Sequence, residues 1–149
     1  MSSLWFYHLE RSSLEAALAP LLEKCLQRGW RAVVRGPIEE RLDALDEALW
    51  TVREDGFLPH ARSNRGAPEK QPILLTSERS APNGAKALFL VDGADPGVID
   101  AFERASVMFD GRDEAAVVHA RLQWKAAKDS GHDVAYWKET GAGRWEKQA

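Results

Sequence analysis

At 149 residues, with 44% hydrophobic and 29% charged residues, the chain has the size and composition of one globular domain that buries a core without staples. A net charge of −3 excludes a general pull toward nucleic acid or an anionic membrane, so any DNA role must be local or indirect. The single cysteine, Cys25, excludes an internal disulfide and a cysteine-rich zinc site.

Trp5 to Leu9 reads as a short aromatic-rich strand. Ser12 with Glu15 is a capping-box signal for a helix whose apolar residues Leu14, Leu18, Leu21, Leu22 and Cys25 follow the 3.6 period. Pro20 predicts a kink near its middle, and Gly29 ends it. Ala32 to Val34 form a second strand. Gly36-Pro37 starts another helix, with Glu39 and Glu40 in its first turn and a core stripe of Ile38, Leu42, Leu45 and Leu49. Asp43, Asp46 and Glu47 fall on its solvated face.

A long loop is expected at about 52–72, carrying Arg53, Arg62, Arg65 and Lys70. Strands follow at Ile73–Ser77 and Ala87–Asp92, joined through the turn signal Pro82-Asn83-Gly84 as either a hairpin or a crossover. Asp95-Pro96 predicts a third helix start, and Val107 to Phe109 a short buried strand. Arg112 to Ser130 reads as a strong helix and Val134 to Lys138 as the last strand, with a polar tail from about 140. Strands alternating with helices give an α/β class: a mainly parallel sheet with helices on both faces, in one domain spanning 1–149.

A nucleotide enzyme on such a fold needs closely spaced glycines after a strand, and they are missing. Glu10-Arg11-Ser12-Ser13 follows the first strand, and Gly36-Pro37 loses an amide to proline. Asp92-Gly93-Ala94-Asp95 puts acids where an anion would sit, and Gly141-Ala142-Gly143 has no helix behind it. His8, His60, His119 and His132 lack metal-ligand spacing, and no serine stands in a G-x-S-x-G elbow. No metal, cofactor or catalytic residue is expected. The first residues lack the basic and apolar regions of a secretory signal, and no apolar run approaches the ~20 residues of a membrane span. The expected location is cytoplasmic.

Two features look like contact sites. On the 112–130 helix, Ala115, Val118, Leu122 and Ala126 share a face expected to pack on the sheet. Val117, Arg121, Trp124, Lys125 and Lys128 share the adjacent face, an apolar spot among cations that suits a short acidic peptide with a bulky apolar end. A solvated face with Trp124 turned partly inward is the plainer alternative. The second feature is Trp50 at a helix end, followed by Phe57, Leu58, Pro59 and His60, either a contact patch or residues closing the sheet edge. Six tryptophans is a high count for this length: some belong to the core, and amphipathic rings in excess often mark contact surfaces.

Phe6-Tyr7-His8-Leu9, Leu45-Asp46-Glu47-Ala48-Leu49-Trp50, Gly56-Phe57-Leu58-Pro59-His60 and Arg121 with Trp124-Lys125 together resemble the chi subunit family of DNA polymerase III, in order and separation, across nearly the whole chain. The resemblance implies a fold like nucleotide-binding proteins but with no phosphate loop, nucleotide or catalysis. It implies an adaptor linking the clamp loader, through the psi subunit or an alternative helicase partner, to the acidic C-terminal tail of single-stranded DNA-binding protein. The tail positions map onto Arg121, Trp124, Lys125 and Lys128, with Val117 where some members have lysine. The partner-docking patch maps onto Trp50, Phe57 and Pro59, with Leu58 and His60 between and beside them. Nucleic acid is then met only indirectly, and no membrane is involved. The alternatives are a diverged nucleotide-handling enzyme and direct single-strand binding by Trp and Arg side chains.

Overall fold

The computed structural model describes residues 3–51, 58–63, 67–141 and 144–149. Its described elements are β1 (Ser3–Leu9), α1 (Leu14–Gln27), β2 (Ala32–Arg35), α2 (Glu39–Thr51), β3 (Ala61–Arg62), a 3-10 turn at Pro68–Lys70, β4 (Ile73–Thr76), β5 (Ala87–Leu90), β6 (Arg104–Asp110), α3 (Glu114–Asp129), β7 (Asp133–Gly141) and β8 (Arg144–Lys147). The strands form one sheet in the order β3-β4-β2-β5-β6-β1-β7-β8, parallel except for β8. The α/β architecture read from the sequence is the one observed. The stretch from β4 to β5 crosses over β2, which settles the choice between hairpin and crossover.

The period-2 pattern of the strands divides two apolar layers. Tyr7, Leu9, Ala32, Val34, Ile73 and Leu75 face α1 and α2, whereas Leu4, Phe6, Val33 and Leu74 face α3. Four of the tryptophans, Trp5, Trp30, Trp137 and Trp145, pack on the first layer and Trp124 on the second. Trp50 is the exposed one, at 47%.

Several sequence expectations shift for physical reasons. The α1 cap is Ser13, whose Oγ accepts from the Ala16 N–H at 3.3 Å, because the Ser12 hydroxyl is engaged elsewhere. No helix follows Asp95-Pro96: Asp95 Oδ1 accepts the Gly97 N–H at 3.1 Å, Gly97 takes φ +60°, and Ile99 and Phe102 drop into the second layer. Ile38 lies outside the α2 core stripe and is exposed. On α3 the buried face is Ala116, Val117, Ala120, Trp124 and Ala127, so Ala115, Val118, Leu122 and Ala126 point to solvent rather than onto the sheet. The polar tail carries β8, antiparallel to β7, with Trp145 against Tyr7 at 5.0 Å between ring centroids.

The expected long loop contains β3, whose Arg62 is almost fully buried. Its guanidinium donates to Asp43 Oδ1 at 2.5 Å, to the Glu39 carbonyl at 3.2 Å and to the Glu39 carboxylate, so Asp43 is a partner rather than part of a merely solvated face. Arg53 and Arg65 lie outside the described residues.

Glu139 makes the main polar tie between elements. Its carboxylate, 1% exposed, accepts the N–H groups of Glu10, Arg11 and Ser12 at 3.1, 2.6 and 2.9 Å and the Ser12 hydroxyl. Burial alone would raise this carboxyl, but the Ser12 hydroxyl and the three amides outweigh it and hold it below the usual range. A depressed folded pKa contributes stability that is complete above the unfolded value near ~4.3 and is lost as pH falls through the folded one. Glu139→Ala leaves partly buried donors without their charged acceptor and should cost about 2 kcal/mol in denaturant unfolding. Glu139→Gln, without the titrating group, should flatten the loss of stability below about pH 5. An unchanged acid profile in a folded Glu139→Gln protein would contradict this role.

Candidate functional site

The outer flank of α3 and the facing part of β7 enclose a cleft of about 360 Å³, lined by His8, Arg121, Trp124, Tyr136, Lys138, Gln148 and Ala149. Its geometry follows from two periodicities. Arg121 and Trp124 lie three residues apart on α3, while Tyr136 and Lys138 alternate with Trp137 along β7. The Trp124 and Tyr136 rings meet edge-on with centroids 5.8 Å apart, and Trp124 also packs against Phe6 at 5.5 Å. Ala120 and Ala127, both buried, let α3 approach the sheet closely. The Trp124 ring is thereby half inside the second layer and half in the cleft.

His8, on β1, closes the base of the cleft. Its Nδ1 shares a 2.5 Å hydrogen bond with the Tyr136 hydroxyl, and its Nε2 stands 3.2 Å from Glu10 Oε1. Gly111 lies flat against the imidazole, where a Cβ would overlap the ring. Burial lowers the His8 pKa; Glu10 opposes the shift, and the charges of Lys138 and Arg121 add to it. Burial likewise raises Tyr136, with Arg121 pulling the other way. These influences place the Arg121 charge in the field of both side chains.

The structure brings together only part of the five-residue set on α3. Arg121 and Trp124 line the cleft, Val117 packs into the second layer, and Lys125 and Lys128 are exposed on the same helix outside the cleft lining. Among the described residues, none of Arg121, Lys125 or Lys128 has an ion-pair partner. The cations at i, i+4 and i+7 are therefore uncompensated. His8, Tyr136 and Lys138 escaped the sequence reading, although the alternation in Tyr136-Trp137-Lys138 already put two of them on one face of a strand.

The second expected patch divides differently. Trp50 stacks on His60 with centroids 4.1 Å apart and planes tilted by 32°. His60 is buried, its Nδ1 2.6 Å from the Leu58 carbonyl and its Nε2 2.8 Å from the Asp46 carbonyl. Leu58 joins the first apolar layer and Pro59 is half-buried. Leu58 and His60 are thus buried, His60 against the Trp50 ring, and Phe57 lies outside the described residues.

A third hollow, about 760 Å³, opens at the C-terminal ends of the strands, where open α/β sheets commonly bind ligands. Both of its arginines are paired with acids: Arg41 with Asp92 at 2.7 Å and Arg112 with Asp110 at 2.8 Å. Asp113 caps α3 through the Ala115 N–H at 3.0 Å, and His119 Nε2 lies 3.0 Å from the Gly93 carbonyl. The amides after β1, where a phosphate would be cradled, are taken by Glu139. Among the described residues no three His, Cys, Asp or Glu side chains are grouped to hold a metal ion, and no helix is long and apolar enough to cross a membrane.

Comparison with known proteins bears on this arrangement. A protein of Rickettsia prowazekii (strain Madrid E), described as a probable DNA polymerase III subunit chi, is 30% identical over 95 residues, which cover 64% of this chain and 58% of that relative. The chain thus matches somewhat over half the length of this relative. The sequence model of the family described as "DNA polymerase III chi subunit, HolC" matches residues 1–135. With nine-tenths of its length inside that match, the chain belongs to the DNA polymerase III chi subunit family.

Proposed function

We propose that the protein is a non-catalytic, cytoplasmic adaptor of DNA replication that binds the acidic C-terminal tail of single-stranded DNA-binding protein and connects it to the clamp loader. The observation carrying this reading is the row Arg121, Lys125 and Lys128, without ion-pair partners among the described residues, beside an aromatic-floored cleft. Acidic side chains and a terminal carboxylate find charge-assisted partners on the row, and Trp124 with Tyr136 offers a flat apolar seat to the last side chain. Direct single-strand binding is disfavoured by the net charge of −3, and nucleotide chemistry by the occupied amides after β1.

Trp50 is the second contact point of this reading. An exposed indole held from below by a buried histidine is a rigid anchor for a partner such as the psi subunit or a helicase, with Pro59 and Phe57 as its neighbours in the sequence pattern. Trp50 at the end of α2 and the cleft beside α3 lie on helices packed on opposite faces of the sheet, so both partners could be held at once.

Two measurements test this reading. In calorimetry with a synthetic tail peptide, Arg121→Ala should weaken binding roughly tenfold, more than Lys128→Ala. Affinity should fall as NaCl rises past ~0.15 M. Trp124→Ala should weaken binding while leaving that salt slope nearly unchanged, because its contribution is apolar. Equal affinity in a folded Arg121→Ala protein would place the tail site elsewhere.

In reconstitution with the clamp loader or helicase, Trp50→Ala should lose association by about 2 kcal/mol or more while peptide binding stays intact. Joint loss of both activities in a folded variant would contradict two separate sites.

A further inference from the structure

The cleft beside α3 has a second cationic wall. Lys138 reaches into it from β7, opposite the Arg121 of the helix, and its Nζ lies 3.4 Å from Glu10 Oε1. The same carboxylate oxygen is the one facing His8 Nε2. Tyr136 and Lys138 lie just beyond residues 1–135, the part of the chain matched by the family's sequence model. We infer that Lys138 is a specificity-determining residue of the cleft and that Glu10 is its resident competitor, an internal carboxylate that an acidic side chain of the bound peptide displaces. The inference rests on the tail-peptide reading and extends it from one wall to two.

The chemistry of the pair makes displacement easy. Both side chains are well exposed, at 42% for Lys138 and 38% for Glu10, and an exposed ion pair at this separation is held weakly and screened by salt. The swing needs no movement of the backbone, because the Glu10 N–H is fixed by Glu139. Lys138 is itself positioned: β8 pairs along β7 with Lys138 opposite Glu146, and the backbone of Tyr136 continues that ladder to Gln148 and Ala149. An incoming acidic peptide thus meets one cation without an ion-pair partner among the described residues, Arg121, and one whose partner is an exchangeable acid of the protein. Such an arrangement discriminates by charge spacing: a peptide with only a terminal carboxylate satisfies Arg121, and one with further acids upstream also replaces Glu10 at Lys138.

Calorimetry tests this with a synthetic peptide carrying a run of aspartates before a bulky apolar C-terminal residue, and with a second peptide whose aspartates are serines. Lys138→Ala should weaken the aspartate peptide about fivefold and leave the serine peptide nearly unchanged. Glu10→Gln should tighten the aspartate peptide about twofold, and that gain should vanish in the Lys138→Ala background. A Lys138→Ala protein that binds the aspartate peptide like the wild type, or a Glu10→Gln gain that persists without Lys138, would overturn the inference. If Arg121→Ala still loses binding in those cases, the tail-peptide reading stands without the second wall. If the wild type does not bind the aspartate peptide, that reading itself fails and takes the inference with it.

Discussion

A buried carboxylate in a ring of amides organises one whole end of this molecule. Glu139 reaches from β7 to the chain just after β1 and takes three N–H groups and a hydroxyl that no helix or strand could satisfy. Those partly buried donors bond a charged acceptor, a kind of hydrogen bond that contributes ~1.5–3 kcal/mol where water is excluded. The contact therefore locks β7 in register beside β1, shifts the α1 cap by one residue to Ser13, and fixes the backbone from which Glu10 faces His8 and Lys138. It also fills the place where a related architecture would seat a phosphate. One side chain thus both ties β7 to the chain after β1 and occupies amides that a phosphate would need.

With the amides after β1 occupied in this way, a row of cations without ion-pair partners among the described residues lies on the flank of α3. The two arginines of the hollow at the C-terminal edge of the sheet are already paired with acids, whereas the cations on α3 have no ion-pair partners among the described residues. Unmatched charge beside a half-buried aromatic floor is what an acidic peptide requires; matched charge in a hollow is what a stable surface requires. The buried Arg62 belongs to the second kind. Its fork is consumed by Glu39, Asp43 and two backbone carbonyls, and it ties β3 to α2 rather than offering itself to a ligand.

The sequence was most readable where a period repeats. The strand alternation at Leu4 to Leu9 and at Ala32 to Val34, and the 3.6 period of α1, carry the α/β layering directly. The motifs around Trp50 and Arg121 carried the family. What stayed hidden depends on contacts distant along the chain. Period alone allowed two apolar stripes on α3, and only the fit of Ala120 and Ala127 against the sheet chose between them, leaving Val118 and Leu122 exposed. The stretch after Asp95 had a helix-start signal, yet the left-handed Gly97 and the burial of Ile99 and Phe102 prevailed over local propensity. The polar end of the chain hid a strand because its one apolar residue, Trp145, finds its partner on Tyr7, far back in the sequence. Lys138 and Glu139 carried no motif at all, and His8 stood in a family motif without a role, since their meaning arises from β1 and β7 lying side by side.

The central claim, that the chain works by binding an acidic peptide between α3 and β7 and not at the strand ends, is tested most directly by amide chemical-shift mapping during titration with the tail peptide. The account predicts shifts concentrated at Arg121, Trp124 and its indole N–H, Lys125, Tyr136 and Lys138, with Gly93, Asp110 and Asp113 unmoved. Shifts concentrated instead around Gly93, Asp110 and Asp113, with the α3 and β7 amides unchanged, would contradict it.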